Sequence, residues 1–239
     1  MSAIEPQTLQ ISTIPCALWG TDSDRAIIAV HGAHSHKEDV PIRLLSKIAQ
    51  GCQILSFDLP EHGARREEAA LCKPPVCVRD LSAVLDYAEA RWDHVGLFAV
   101  SMGAYFSLLT CGDRRVERAW FLSPVVDMGA LINNMMTWFD VSPERLKREQ
   151  AISTPMGQTL YWDYYCYVQE HPVRRWPIST EILTGGRDTL CDPAVTSAFA
   201  DRFSCRLQTA ETAEHWFHTE SDLSALERWL RETGRDFIR

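Results

Sequence analysis

Short apolar runs punctuate the chain at intervals that leave room for a helix between them. Ala26–Val30 (AIIAV), Gln53–Phe57 (QILSF), Val95–Val100, Ala119–Leu122, Thr180–Thr184 and Cys205–Gln208 are the clearest. A brief run without strict alternation predicts a strand buried on both faces, as inside a parallel sheet. Between these runs the period changes. Val78, Leu81, Val84, Leu85, Ala88 and Trp92 fall on one face of a helix, as do Leu223, Leu226, Trp229 and Leu230 near the C-terminus. Strands alternating with helices predict an α/β fold with a mostly parallel sheet and helices on both faces. The stretch ISTIPCALWG near the start adds an antiparallel edge strand.

The alternation fails once. After Ala119–Leu122 the next strand pattern begins only at Thr180, and the intervening residues are rich in aromatics: Trp138, Phe139, Tyr161, Trp162, Tyr164, Tyr165, Tyr167 and Trp176. A loop of that length without structure is uncommon in a compact domain. Two or three helices are expected, divided at Ser142-Pro143 and at ISTPMG. The organisation this predicts is a core from residues 1–126 and 178–239, with a helical cap, residues 127–177, inserted after a late strand. Most of the aromatics are expected to pack the cap. One or two are expected to line a pocket that the cap covers and keeps dry.

Composition narrows the partners. The chain has 239 residues, 46% hydrophobic and 23% charged, enough for one large domain with an insertion. The net charge of −8 excludes the basic footprint that nucleic acid requires. The first ten residues have neither a basic nor an apolar signal region, so no signal peptide is expected, and no apolar run is long enough for a membrane span. Eight cysteines are scattered without a Cys-x-x-Cys pair, which predicts a reduced cytoplasmic protein rather than a disulfide framework.

In open parallel sheets, function collects just beyond the C-terminal ends of the strands. The residues found there are informative. After Val100 comes Ser101, in the pattern Ala99-x-Ser101-x-Gly103, one methyl group away from a nucleophile elbow. Met102 would open a helix and aim its N–H at charge developing beside Ser101. The competing role for Ser101 is a plain helix N-cap. After Val30 comes His31-Gly32-Ala33-His34-Ser35-His36, where the Ala33 N–H is the candidate second oxyanion donor. A metal site on His31, His34 and His36 is the rival reading, but no second His/Asp cluster follows at metal-like spacing. Asp58, in the turn Asp58-Leu59-Pro60-Glu61-His62-Gly63, is expected to bind the backbone of neighbouring loops. Gly185-Gly186-Arg187-Asp188 and Ala213-Glu214-His215-Trp216-Phe217-His218 supply an acid and a base, with His218 as the alternative base. The order Ser101, Asp188, His215 matches the chain order of the α/β-hydrolase triad, each member following a different strand.

With these motifs in view, the sequence resembles the α/β-hydrolase superfamily, and within it the serine aminopeptidase-like and esterase-like branch. The resemblance spans about Ile27 to Leu230 and rests on VHGAHSHKED, SFDLPEHG, AVSMGAY, SPVVD, TGGRDTLCD and AEHWFHTE. It departs from the family pattern at Ala99, where the first glycine stands. The resemblance implies an α/β-hydrolase fold with Ser101 as nucleophile, Asp188 as acid, His215 as base, and the Ala33 and Met102 N–H groups as oxyanion donors. Asp127, in SPVVD, is the spare acid. The implied activity is cleavage of a carboxylic ester or related acyl bond of a small molecule, with no metal or organic cofactor required. Thioesterase, amidase and peptidase chemistry share the same parts, and a non-catalytic binding protein of this fold is the remaining alternative. The sequence leaves the oligomeric state open.

Overall fold

The structure, a computed structural model, describes residues 5–238. The reading of the extreme N-terminus therefore lies, for Met1–Ile4, outside the described residues. The chain divides into two compact units, Met1–Val126 with Arg175–Arg239, and Asp127–Arg174.

The larger unit carries strands β1 (Gln7–Ile11), β2 (Ile14–Trp19), β3 (Arg25–Val30), β4 (Gln53–Phe57), β5 (His94–Val100) and β6 (Arg118–Leu122) before the break. Helices α1 (Val40–Ile48), α2 (Pro74–Arg91) and α3 (Met102–Thr110) alternate with them. The smaller unit holds α4 (Met128–Trp138), α5 (Pro143–Glu149), β7 (Ala151–Ser153), β8 (Thr159–Tyr161) and α6 (Trp162–Glu170). The larger unit resumes with β9 (Ser179–Gly185), α7 (Pro193–Phe203), β10 (Arg206–Ala210), α8 (Glu220–Thr233) and α9 (Arg235–Ile238).

The eight strands of the larger unit form one sheet in the order β1-β2-β4-β3-β5-β6-β9-β10. β1 and β2 form an antiparallel hairpin, β2 pairs antiparallel with β4, and every other pairing is parallel. The ISTIPCALWG stretch therefore supplies most of that hairpin, with a second strand ahead of it. The buried strands read as apolar runs because both faces are covered: Ala26–Val30 is fully buried. Ile27 and Ala29 share a core with Phe98, Trp120 and Leu122, with Ile42 and Leu45 of α1, and with Leu226, Trp229 and Leu230 of α8. Helices α2 and α3 pack on each other and on β3 and β5, and so supply the other layer.

The chain steps outward from β3 to β4 and then returns to lay β5 on the other side of β3. That reversal makes the C-terminal ends of β3 and β5 the topological switch point, the usual place for a ligand in such a sheet. In the smaller unit, the antiparallel pair β7–β8 stands where the pattern predicts helices alone. Each strand has only three residues, too few to register as alternation. Among the described residues no helix is long and apolar enough to cross a membrane.

Candidate active site

Ser101 sits between β5 and α3 with φ 50° and ψ −118°. A non-glycine residue at positive φ stores backbone strain of roughly 1–3 kcal/mol, which the surroundings must hold in place. They do so from both sides. The Ser101 N–H donates to Leu122 O at 3.0 Å, and the Val125 N–H donates to Ser101 O at 3.1 Å. Gly103 explains its place in the motif: a Cβ there would lie 2.6 Å from both Val30 O and His31 O. Ala99, fully buried in β5, is no obstacle to this turn.

The serine hydroxyl does not cap its helix. It lies 2.8 Å from His215 Nε2, while His215 Nδ1 lies 2.7 Å from Asp188 Oδ2. A carboxylate only accepts, so Nδ1 carries the proton and Nε2 is free to accept from Ser101 Oγ. The two side chains of the ion-pair contact are nearly dry, His215 4% and Asp188 2% exposed. The other carboxylate oxygen of Asp188 accepts from the Leu190 and Cys191 N–H groups at 2.8 and 3.0 Å, which fixes its rotamer.

The loops after β9 and β10 are laced together. The Gly186 N–H donates to Ala210 O and the Arg187 N–H to Ala213 O. A Cβ on Gly185 would lie 2.4 Å from Ala213 O, so this approach requires glycine. Thr219 and Asp222 then start α8 with a reciprocal capping box, which ends the His215 loop. His218 is exposed. Asp127 caps α4, accepting from the Ala130 N–H at 2.9 Å.

On the β3 side, Gly32 runs beside the serine: a Cβ on it would lie 3.1 Å from Ser101 Cβ. Ala33 follows directly. Neither the Ala33 nor the Met102 N–H has a protein acceptor among the described residues. Met102 is the first residue of α3, where the helix cannot supply one.

His31 does something the motif did not reveal. Its Nε2 accepts from the Leu59 N–H at 3.0 Å, so its Nδ1 donates to Gly32 O at 2.7 Å. Burial pushes this ring down to about 4, in keeping with a neutral brace. Both nitrogens are occupied, and His34 and His36 are exposed. Among the described residues the three histidines form no metal cluster. Asp58 is likewise structural. It accepts from the Lys37 N–H at 2.8 Å, Lys37 Nζ at 2.7 Å and the Ala64 N–H at 3.0 Å. Burial pushes its carboxyl up, and these donors more than offset that, leaving it below the usual range.

Among the described residues, Asp188, Cys191 and His215 are the one set whose candidate metal-ligand atoms lie within 4.8 Å of one another. Burial, with Asp188 nearby, pushes the Cys191 thiol up to about 12. A thiol held protonated and an imidazole nitrogen already bound to a carboxylate suit proton transfer better than cation binding.

The pattern of the family described as "Alpha/beta hydrolase family" matches residues 27–229. Among curated proteins no sequence match is found. Among solved structures the chain is similar to Est1E from Butyrivibrio proteoclasticus with ferulic acid bound, with TM-score 0.80 and 18% identity over 97% of this chain and 99% of that one. It is similar to mouse alpha/beta hydrolase domain-containing protein 10, with TM-score 0.77 and 14% identity over 97% and 98%. It is also similar to the Pyrococcus furiosus esterase PF2001, with TM-score 0.71 and 18% identity over 99% and 92%. At these identities the structural likeness is one of fold. The family match covers β3 through most of α8 and includes Ser101, Asp188 and His215, and the chain belongs to the alpha/beta hydrolase family.

Proposed function

We propose that the protein is a serine hydrolase that cleaves carboxylic esters of small molecules through an acyl-enzyme. The observation that carries this reading is the continuous hydrogen-bonded line from Ser101 Oγ through His215 to Asp188. His215 Nε2 takes the hydroxyl proton as Ser101 Oγ attacks the ester carbonyl carbon. Asp188 holds the imidazole in the tautomer that can accept, and stabilises the imidazolium that forms. The carbonyl oxygen becomes an oxyanion between the Ala33 and Met102 N–H groups, each such donor worth about 2.7–4 kcal/mol in the transition state. His215 then returns its proton to the leaving alcohol. A water molecule, deprotonated by the same nitrogen, attacks the acyl-enzyme and releases the acid.

An ester is favoured over an amide because the Pyrococcus furiosus fold neighbour is named an esterase, and the likeness to it runs over 99% of this chain and 92% of that one. Est1E holds ferulic acid, so aromatic acyl esters belong beside straight-chain ones in the substrate screen.

The test is labelling with a fluorophosphonate probe, followed by hydrolysis of p-nitrophenyl and feruloyl esters. The expected result is one adduct, on Ser101, and a loss of at least about 10³-fold in kcat/KM for Ser101→Ala with unchanged thermal unfolding. An unlabelled wild-type protein, or an active Ser101→Ala protein, overturns the assignment.

A further inference from the structure

A second nucleophile meets a second imidazole away from Ser101. Cys72 lies in the loop just before α2, and Cys77 lies on the first turns of that helix. The two sulfurs are 3.7 Å apart, in hydrogen-bond contact. The Cys72 backbone is pinned, its N–H donating to Glu61 Oε2 at 2.7 Å. His62 Nδ1 donates to Pro60 O at 2.7 Å, which leaves Nε2 to take the thiol proton and, in the imidazolium so formed, to donate to the sulfur. Burial pushes the His62 ring down, and the Cys72 sulfur, the Pro60 carbonyl and the Glu61 carboxylate more than offset that, leaving it above its ordinary value.

The groups around the pair differ in sign. Cys72 has the Cys77 thiol and His62 as donors, with the Glu61 carboxylate opposing them. Cys77 has Asp80 and Arg65 nearby, themselves a buried ion pair at 2.7 Å. The hydrogen bond from Cys77, followed by that of His62, holds the Cys72 thiol down to about 6 against the opposing effect of burial. Burial and the Cys72 sulfur push Cys77 well above its ordinary value. One sulfur is arranged as an anion and its neighbour as a proton donor. By contrast, burial raises Cys16, Cys52, Cys111 and Cys191 to about 12 and Cys205 to about 11.

We propose that Cys72 and Cys77 form a redox-active dithiol, positioned by His62, which a hydroperoxide closes to a disulfide. The Cys72 thiolate attacks one peroxide oxygen and the O–O bond breaks. With a proton from the surroundings, the departing oxygen leaves as water or alcohol, and Cys72 becomes a sulfenic acid. Cys77 sulfur then attacks Cys72 sulfur, and its thiol proton leaves with the hydroxyl as water. The two thiols lose two electrons and two hydrogens, and the hydroperoxide is reduced. The sulfurs need to close only from 3.7 Å to about 2.05 Å. The inference is independent of the hydrolase reading, since Ser101 takes no part.

The experiment treats the intact protein with hydrogen peroxide and maps its thiols by mass spectrometry. The expected product is a peptide pair joined between Cys72 and Cys77, two hydrogens lighter and restored by dithiothreitol. In Cys77→Ser the reaction stops at the sulfenic acid, which dimedone traps on Cys72. In untreated protein, iodoacetamide alkylates Cys72 with a half-maximal rate near pH 6, and His62→Phe moves that midpoint upward. The alkylation profile needs no variant, so misfolding of Cys77→Ser does not blunt the test. A Cys72 midpoint near an ordinary thiol's roughly 8.5 overturns the proposal. So does a native Cys72 that iodoacetamide does not reach, or peroxide treatment that leaves the two sulfurs unlinked.

Discussion

His215 and His62 lie in the same unit, and each holds an oxygen or sulfur nucleophile at its ring, yet their second nitrogens meet different partners. His215 Nδ1 faces the Asp188 carboxylate, whereas His62 Nδ1 faces the Pro60 carbonyl. The nucleophile explains the difference. A serine hydroxyl is far too weak an acid to rest ionised, so its proton must move during the attack. The imidazole must then become a cation in place, and a buried carboxylate stabilises that cation. A thiol sits much nearer neutrality, and hydrogen-bond donors alone can hold it as the anion before any reaction begins. A carbonyl is enough to orient a histidine that takes the thiol proton beforehand and then only has to donate. Backbone geometry follows the same division. Ser101 is raised on a positive-φ turn at a strand end, while Cys72 lies on a loop beside a helix start.

Removing the two imidazole-facing nucleophile systems in turn gives the largest expected contrast. His215→Ala is expected to lower kcat/KM for ester hydrolysis by about 10⁴–10⁶-fold, because base and acid functions vanish together. Cys72→Ser is expected to leave the same constant within about threefold. Steady-state kinetics on one aryl ester reads both. Comparable losses in the two variants would merge what the geometry keeps apart.

The sequence revealed the first of these systems more readily than the second, for a physical reason. Parallel strands buried on both faces read as apolar runs, and their C-terminal ends all lie on one edge of the sheet. Residues following β5, β9 and β10 are thereby brought together although far apart in the chain, and Ser101, Asp188 and His215 do lie within hydrogen-bond distance. Cys72, Cys77 and His62 have no such guide. The cysteines are five apart across the start of a helix rather than in a Cys-x-x-Cys pair, and His62 arrives through a turn whose path depends on Asp58. The β7–β8 hairpin was hidden for another reason, its strands of three residues each being too short for the alternation to repeat. The brace formed by His31 was hidden because a histidine after a strand reads equally as ligand, base or packing.

The carboxylates offer the next, smaller contrast. Asp188→Asn keeps the shape of the side chain but can present an amide to His215 Nδ1, favouring the wrong tautomer, and a loss of about 10²–10⁴-fold in kcat is expected. Asp127 differs in what it does locally, since its carboxylate caps α4. Asparagine caps helices about as well as aspartate, so Asp127→Asn is expected to change neither kcat nor the unfolding midpoint measurably. A parallel assay of the two variants, with unfolding followed by circular dichroism, checks both. A greater loss of kcat in Asp127→Asn would move the acid to the spare position.

The smallest expected effect separates two histidines three residues apart. Along the loop after β10 the burial alternates: Ala213, His215 and Phe217 are buried, while Glu214, Trp216 and His218 are exposed. Phe217, at φ 45°, anchors that alternation by joining the core with Trp229 and Leu230 of α8. A swap of roles between His215 and His218 would require the loop to slip and draw the Phe217 ring out of the core. Burying a side chain of that size is worth about 1.5–3 kcal/mol, enough to hold the register. His218→Ala is therefore expected to leave kcat/KM within about twofold, with the fluorophosphonate adduct still forming on Ser101 at the wild-type rate. A tenfold slower labelling in His218→Ala than in His215→Ala would show that the loop presents the other ring to the serine in solution.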